Sequence, residues 1–261
     1  MTELLELILE PLKKIVIEVQ NYSRESYRAF SNLLHRPHYF QETLIQMDII
    51  GVGSLTIICL TGFFTGAVLA MQSSKSLQSF GAVGLTGQLV AVSLVRELGP
   101  VLSALMVAGR NSSGMASELG SMVVSDQILA MRALGTDPSR KLVTPRLVAT
   151  VTMLPLLTAV CDFIGIFGGY IVCRFLLHIS SALYWSTVYN NLGYFDLLEG
   201  LIKPFVFGAI VATVGCYCGL KTTGGTQGVG RSTTQAVVAS SILILAVDAV
   251  LTRVVLVFFK G

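Results

Sequence analysis

The chain has 261 residues, of which 53% are hydrophobic and only 13% are charged, about half the charged share of a typical soluble domain. Its mean hydropathy is +0.73. A soluble fold of this length could not bury so many apolar side chains, whereas a bilayer accepts them on helices of roughly 20 apolar residues. The net charge of +3 comes from scattered lysines and arginines that form no basic face for nucleic acid. The composition therefore predicts an all-α integral membrane protein.

The amino-terminal region, residues 1–47, is amphipathic and too charged to span a bilayer. Pro11 can kink a helix here or begin a second piece. We interpret the region as a helix in the plane of the membrane interface, with a soluble helix packed on a partner as the alternative. No secretory signal pattern is recognisable in it. Apolar side chains recur at spacings of three and four, and so share one helix face: Leu5, Ile8, Leu12, Ile15 and Val19.

Residues 48–261 form the predicted transmembrane domain. In the first of its apolar stretches, Gly62 and Gly66 have a spacing that lets two helices approach closely. We expect the second to be weakened or broken at Gly99-Pro100. A headgroup boundary is indicated after the third by a short polar loop with four aromatic residues: Tyr184, Trp185, Tyr189 and Tyr194. About five spans are predicted, over residues 49–71, 81–109, 147–177, 197–220 and 236–259.

Lysine and arginine are concentrated before the first span and in the second and fourth connections between spans. The other side carries Lys75, Arg174 and Lys260, with Lys203 near that boundary. The positive-inside rule therefore predicts a cytoplasmic amino terminus. With an odd number of spans, the carboxy terminus is then on the outer side.

No metal, cofactor or nucleotide site is predicted in this chain. We expect the five cysteines, which lie in or at the end of apolar stretches, to act as small hydrophobic side chains. His35 and His38 lack a third metal ligand. Residues 225–232 resemble a phosphate-binding loop with Arg231 in place of lysine, but a membrane span precedes them instead of a strand. We interpret them as a flexible turn, with Ser232 or Thr233 capping the fifth span.

Arg96 and Glu97 are the most informative charges within the apolar stretches. Each charge in a membrane helix costs roughly 2.5–3.5 kcal/mol on insertion scales, so the pair either lines a cavity or fixes packing. Broken membrane helices often carry substrate sites, which favours the cavity. Neighbours in sequence point in different directions on a helix, which predicts a different partner for each side chain.

Residues 112–138 predict a helical element between the second and third spans. Ser125 is a suitable N-cap, and Gly135 stands where a helix-terminating glycine is expected. The element is too short to span the membrane, so it needs a partner surface: another protein or its own membrane domain. An apolar stripe runs along it: Met115, Leu119 and Met122.

Three runs resemble the MlaE/YrbE permeases, which serve ABC transporters linked to MCE proteins: VRELGPVLSALMVAGRNSSGMASELGSM (95–122), ALGTDPSRKLVTPRL (133–147) and GVGRSTTQAVVASSILILAVDAVLT (228–252). The likeness covers nearly the whole chain. It implies a homodimer with five spans per subunit, two cytoplasmic ATPase subunits that use ATP, and a hexameric periplasmic MCE protein. It also implies phospholipid as the substrate, held in a cavity between the two permease subunits.

The resemblance assigns roles to particular residues. It implies that residues 112–135 form the coupling helix for the ATPase, with contacts at Glu118, Leu129, Met131 and Leu134. Polar positions near the family's cavity are matched by Arg96, Glu97 and Arg231, and we expect Gly66 to border that cavity. The predicted function is the permease subunit of a phospholipid ABC transporter in the bacterial inner membrane. In that role it exchanges lipid with the MCE protein, maintains outer-membrane lipid asymmetry and has no catalytic site of its own.

Two other function classes are open. An ion-coupled secondary transporter could use Arg96, Glu97, Asp162 and Asp248 as an ion relay. An intramembrane enzyme is less favoured, because no nucleophile–base pair or paired carboxylates occur at a sensible spacing. The helical element at 112–138 favours the ABC permease, since a secondary transporter needs no docking helix.

Overall fold

The computed structural model describes residues 2–32 and 39–259, and within those ranges all regular structure is helical. Five of the helices are long and apolar enough to cross a membrane. This confirms the all-α membrane fold with five spans. In chain order the helices are α1 (Thr2–Ser31), α2 (Phe40–Gln78), α3 (Val83–Val124), α4 (Gln127–Ala133), α5 (Ser139–Phe175), α6 (Ser181–Asn191), α7 (Tyr194–Leu220) and α8 (Gly225–Phe259). The spans are α2, α3, α5, α7 and α8.

Helix α3 continues through Gly99-Pro100, where the sequence predicts a break. The backbone widens into a π-turn at Leu94–Leu98, and the Gly99 N–H closes it by donating to the Leu94 carbonyl oxygen. Pro100 has no N–H for the Arg96 carbonyl oxygen, which accepts a hydrogen bond from Lys203 Nζ at 3.0 Å instead. A side chain from α7 thus satisfies the backbone group that the proline leaves open, so the helix need not end.

Helices α2 and α5 form the most extensively packed pair of spans, along a line of glycines that we call the glycine seam: Gly62, Gly66, Gly165 and Gly168. A Cβ atom built on Gly66 would lie 1.8 Å from the carbonyl oxygen of Gly165. One on Gly168 would lie 2.4 Å from that of Phe63. Only hydrogen fits at these positions, so the two backbones are in direct contact.

Helix α6 replaces the polar loop that the sequence predicts after the third span. Ser180 caps it by accepting a hydrogen bond from the Leu183 N–H at 3.3 Å. Tyr184 is buried, and its hydroxyl donates to the Ile166 carbonyl oxygen at 2.8 Å. Tyr184 therefore belongs to the core rather than to a headgroup boundary. The other three aromatic residues are exposed: Trp185, Tyr189 and Tyr194.

The connection between the second and third spans consists of two elements, which corrects the single helix expected over residues 112–135. Residues up to Val124 continue α3, and Met115 and Leu119 are buried in the core that α3 shares with α7. This half of the expected docking surface therefore packs on its own membrane domain. The short helix α4 alone is separate.

The start of α4 differs from the prediction, whereas its end matches it. Ser125 does not cap the helix, because its hydroxyl donates to the Ser121 carbonyl oxygen at 2.8 Å. Asp126, in the left-handed conformation, separates α3 from α4. Gly135 has a φ of +73°, and its N–H donates to the carbonyl oxygen of Arg132. Gly135 therefore terminates α4 as predicted.

Helix α8 begins at Gly225 rather than near residue 236, so most of the predicted glycine-rich turn is helical. Ser232 lies inside this helix and shares a hydrogen bond of 2.8 Å with the Thr222 hydroxyl, which rules it out as a cap. Thr233 is also inside the helix, where its hydroxyl donates to the Gly230 carbonyl oxygen. With α7 directly before it, residues 225–232 lack the strand that a phosphate-binding loop requires.

Helix α1 is continuous through Pro11 and docks on α7 by one side. The Tyr22 hydroxyl and Thr213 Oγ1 are 2.7 Å apart, and Ala29 is buried in the core. The other side is apolar and uncovered, with Val16 and Ile17 exposed; that α1 lies in the membrane interface stays a prediction. Several residues of the sequence-based predictions lie outside the part whose side chains are described: Leu5, Ile8, Leu12, Ile15, His35 and His38.

Candidate functional site

Six charged side chains meet inside the membrane spans, where α3, α7 and α8 converge. Two cations face four carboxylates in this cluster, and each charge lies on a span that is otherwise apolar. Because charge in a membrane helix is costly, such a cluster is a candidate functional site. We call it the polar seam: Arg96, Glu97, Asp196, Glu199, Lys203 and Asp248.

Lys203 is the centre of the polar seam and is 1% exposed. Its Nζ donates to Glu97 Oε2 at 2.8 Å, to Thr252 Oγ1 at 2.9 Å and to the Arg96 carbonyl oxygen at 3.0 Å. An ammonium group has three N–H donors, so all of them are used. Carboxylate oxygens of Asp248 and Glu199 lie 3.3 and 3.7 Å from the same nitrogen. The buried ammonium is thus stabilised by both charge and hydrogen bonds.

Arg96 pairs with Asp196 rather than with its neighbour Glu97. Its Nε and Nη2 atoms lie 2.7 and 2.6 Å from Asp196 Oδ1. The other carboxylate oxygen of Asp196 accepts the Gly193 N–H at 3.0 Å, which anchors the start of α7. Arg96 and Glu97 therefore have different partners on α7, as their adjacency on one helix predicts.

A cavity of about 440 Å³ opens beside the polar seam. Charged side chains of the seam border it, including Arg96 and Lys203, and the rest of its lining is mostly apolar. A space that offers charges of both signs next to an apolar wall suits an amphiphile better than a free ion. The apolar lining comes from α7 and α8: Phe195, Leu198, Ile202, Leu251 and Val255.

Three members of the polar seam are not among the site residues predicted from the sequence: Asp196, Glu199 and Lys203. The prediction treats Lys203 as a residue near the membrane boundary. A signal was nevertheless present, because the three residues recur at spacings of three and four within an otherwise apolar span. That spacing places them on one helix face, and charge on one face of a membrane helix points to an interior site.

The structure does not bring the four predicted cavity residues together. Arg96 and Glu97 belong to the polar seam. Gly66 lies in the glycine seam, where it has a packing role, because the Gly165 backbone occupies the space beside it. Arg231 is exposed near the start of α8, about 25 Å along the helix from Asp248 at the usual rise of 1.5 Å per residue.

The residues predicted to couple to an ATPase lie at the end of the bundle that carries α4. Glu118 pairs with the buried Arg146 of α5, with Oε1 and Nη2 2.8 Å apart. Ile128 is buried and anchors α4 to the body. Leu129 and Leu134 are 60% and 83% exposed, and Met131 is partly exposed. Leu129 on α4 and Leu134 just after it are therefore exposed in the connection between the second and third spans.

The residues of the ion relay that was proposed as an alternative do not form one cluster. Glu97 and Asp248 belong to the polar seam, whereas Asp162 packs from α5 against the backbone at Gly99. The cysteines are free, and no metal-holding group of His, Cys, Asp and Glu occurs among the residues that the structure describes.

Comparison with known proteins covers most of the chain. The family model described as Permease MlaE matches residues 43–254. A probable ABC transporter permease protein of Rickettsia felis is 40% identical over 247 residues, which cover 95% of this chain and 94% of that protein. The intermembrane phospholipid transport system permease protein MlaE of Haemophilus influenzae is 34% identical over 93% of this chain and 94% of that protein. Protein TRIGALACTOSYLDIACYLGLYCEROL 1, chloroplastic, of Arabidopsis thaliana is 37% identical over 85% of this chain and 63% of that protein.

Proposed function

The chain belongs to the MlaE permease family, and from that membership we propose that it moves phospholipid between the bacterial inner membrane and a periplasmic MCE protein. In this proposal it is the permease subunit of an ABC transporter that maintains outer-membrane lipid asymmetry. The name of the Haemophilus relative, an intermembrane phospholipid transport permease, supports the substrate class.

The polar seam and its cavity are the observation that carries the proposal. A phospholipid has a charged headgroup and apolar chains, and the cavity places Arg96 and Lys203 beside a wall that is mostly apolar. A zwitterionic headgroup has a phosphate that suits the guanidinium of Arg96 and an ammonium that suits the carboxylates around Lys203. The acyl chains then extend along the apolar lining from α7 and α8.

In the absence of a ligand, the charged side chains of the polar seam pair with one another. Arg96 and Lys203 each pair with carboxylates of the chain itself, so no charge is left alone in the membrane while the site is empty. An incoming headgroup replaces some of these pairs with its own phosphate and ammonium. The π-turn at Leu94–Leu98 lies within the seam, and π-turns in membrane helices commonly occur at functional sites.

We propose that a second copy of the chain covers α8. Val238, Ile242 and Leu245 recur along this helix at spacings of four and three, and each is more than half exposed. Side chains at this spacing share one face. A face of this kind suits a homodimer in which two copies enclose the lipid cavity.

The ATPase is proposed to be a separate cytoplasmic chain, present in two copies. It binds α4, where Leu129, Met131 and Leu134 are at least partly exposed, and Glu118 lies nearby on α3. The positive-inside rule makes this end of the bundle cytoplasmic, together with the amino terminus. The periplasmic hexameric MCE protein then meets the opposite end. ATP is the partner's cofactor, and this chain needs none of its own.

An ion-coupled transporter is the second candidate, favoured by the excess of carboxylates over cations in the polar seam. One experiment separates the two. The chain is purified with the proteins that bind it and reconstituted in proteoliposomes, and phospholipid transfer to the MCE protein is measured with ATP or with an ion gradient. The proposal expects a co-purifying ATPase and transfer that requires ATP. Transfer that follows the ion gradient without any ATPase would contradict it.

A further inference from the structure

A groove of about 800 Å³ lies between α1, α7 and α8, away from the polar seam. Residues of all three helices line it, including several near the start of α8. We call it the α1 groove. It is at the end of the bundle that carries α4, because Lys221 and Arg231 lie near the α7–α8 turn, and Thr222 of that turn packs against Gly120 near the end of α3.

The α8 wall of the groove changes from charged to apolar along its length. Arg231, Gln235, Ala239 and Leu243 all line it and follow one another at intervals of four residues. Residues four apart on a helix lie one above the other, so these four form a single stripe about 18 Å long. The stripe runs from a cation through an amide and a methyl group to a leucine.

The α7 wall shows the same change in the same direction. Lys221 stands at the charged end, Tyr217 follows with its hydroxyl, and Val214 is the apolar end. Both walls therefore lead from polar groups at the α7–α8 turn to apolar groups toward the middle of the spans. An amphipathic helix is polar and apolar on opposite faces, whereas a phospholipid is polar at one end and apolar at the other. The lengthwise change fits the lipid.

The charges at the polar end favour an anionic group. Lys221 pairs with Glu18, and these two lie side by side. Arg231 is exposed, and its side chain makes no ion pair or hydrogen bond within the residues that the structure describes. The groove thus has one unpaired cation at the level where a lipid phosphate would stand, and arginine binds phosphate through paired N–H groups.

We propose that the α1 groove binds a glycerophospholipid of the leaflet at the α1 end, with its phosphate at Arg231 and an acyl chain along Ala239 and Leu243. This site is separate from the cavity at the polar seam and does not depend on the proposed transport. Under the orientation given above, the leaflet is the cytoplasmic one. A lipid held here would fasten α1 to the spans through Val19 and Tyr22, which form the third wall.

The test uses the purified full chain in nanodiscs that contain phosphatidylglycerol with a photoactivatable group in its acyl chain. After irradiation, labelled peptides are identified by mass spectrometry. We expect labelling of the peptides that contain residues 214–218 and 235–243. Arg231→Gln should reduce it about tenfold, as expected for a lost charged hydrogen bond. Ala239→Trp, which fills the apolar end, should reduce it by a similar factor.

Arg253→Gln is the matched control, because it removes another exposed arginine from α8 at the opposite end of the helix. It should leave the labelling of both peptides unchanged. Unchanged labelling in both groove variants, or none in the wild type, would overturn the proposal. A disulfide between two copies of the Gln235→Cys variant, with no lipid label, would also overturn it, because a second copy would then occupy the groove. No ATPase or transport is involved, so the result is independent of the proposed function.

Discussion

The glycine seam and the polar seam are both contacts between membrane spans, and they are built in opposite ways. At the glycine seam, α2 and α5 touch through backbone atoms, and a single added Cβ would overlap the Gly165 carbonyl oxygen. At the polar seam, α3, α7 and α8 meet through long side chains that cluster on Lys203. The first contact leaves no space, and the second borders a cavity of about 440 Å³.

Under the proposed function, the glycine seam serves packing alone, whereas the polar seam serves both packing and ligand binding. Backbone contact in a membrane depends on close packing, so it holds two helices in one fixed arrangement. Charge pairs between side chains can be exchanged for pairs with a ligand. The proposed function therefore gives the bundle a fixed side, α2 with α5, and an exchangeable side, α3 with α7 and α8.

The largest effect should come from removing the cation of the polar seam. Lys203→Met leaves the carboxylates of Glu97, Glu199 and Asp248 without their shared partner. Breaking a buried pair in this way destabilises by about 3–5 kcal/mol. We expect loss of folded protein in mild detergent and loss of lipid transfer. Unfolding by denaturant and a transfer assay in proteoliposomes measure the two effects.

A second variant separates folding from transport at the same position. Lys203→Met with Glu97→Gln removes one charge of each sign and should recover part of the lost stability. Transfer should remain absent, because the headgroup site is still incomplete. Transfer that returns together with stability would show that Lys203 serves packing only.

At the glycine seam we expect a somewhat smaller loss that affects folding alone. Gly66→Ala places a methyl group against the Gly165 backbone, and overpacking of this kind costs about 1–3 kcal/mol. The molecules that still fold should transfer lipid at the wild-type rate. Gly114→Ala is the control, since a Cβ at Gly114 meets no atom within 4 Å. Equal stability of the two variants would mean that α2 and α5 can move apart at the glycine seam without a loss of stability.

Helix α4 lies outside both seams and should affect only partner binding. Leu134→Asp should weaken retention of the ATPase by about tenfold or more, because burying one leucine contributes roughly 1.5–3 kcal/mol. The spans should stay folded, since Leu134 is 83% exposed. Leu176→Asp is the control, an exposed leucine just after α5 at the other end of the bundle. A pull-down in which both variants retain the ATPase equally would exclude α4 as the docking element.

The smallest effect is expected where α1 meets α7. Hydrogen bonds from Lys221 and Tyr217 hold the pKa of Glu18 below its ordinary value. A carboxyl with a depressed pKa contributes stability above its unfolded pKa and loses it as the pH falls through the folded pKa. Glu18→Gln should therefore cost at most about 1 kcal/mol near neutral pH, since solvent screens this pair, and less in acid. Hydrogen exchange of α1 across a pH series measures it; a difference that grows in acid would contradict the assignment.

The sequence predicts the spans well because span length follows directly from apolar length. It also predicts that Gly66 permits close approach and that Arg96 and Glu97 have different partners, since both follow from helix geometry. Three features could not be read in this way. The partner of Gly66, the continuity of α3 past Pro100 and the central place of Lys203 depend on contacts between helices that are distant in sequence.

Pro100 illustrates most clearly what the sequence alone does not predict. Local rules predict a break, because proline withholds an N–H from the Arg96 carbonyl oxygen. The break is avoided by Lys203, which lies on another span and supplies the missing donor. The start of α8 shows a related limit. A glycine-rich run predicts a turn over residues 225–232. The helix nevertheless begins at Gly225, because the chain reverses direction within residues 221–224.

Photo-crosslinking from within the cavity tests the central claim, that the polar seam holds the lipid headgroup, most directly. A benzoylphenylalanine at Ile202, which lines the cavity, is compared with one at Leu156, an exposed residue of α5. The account predicts that Ile202 captures phospholipid and that Arg96→Gln strongly reduces this capture. Leu156 should label lipid only at the background level of the surrounding bilayer, with or without Arg96. Equal labelling at the two positions, unaffected by Arg96→Gln, would contradict a lipid site at the polar seam.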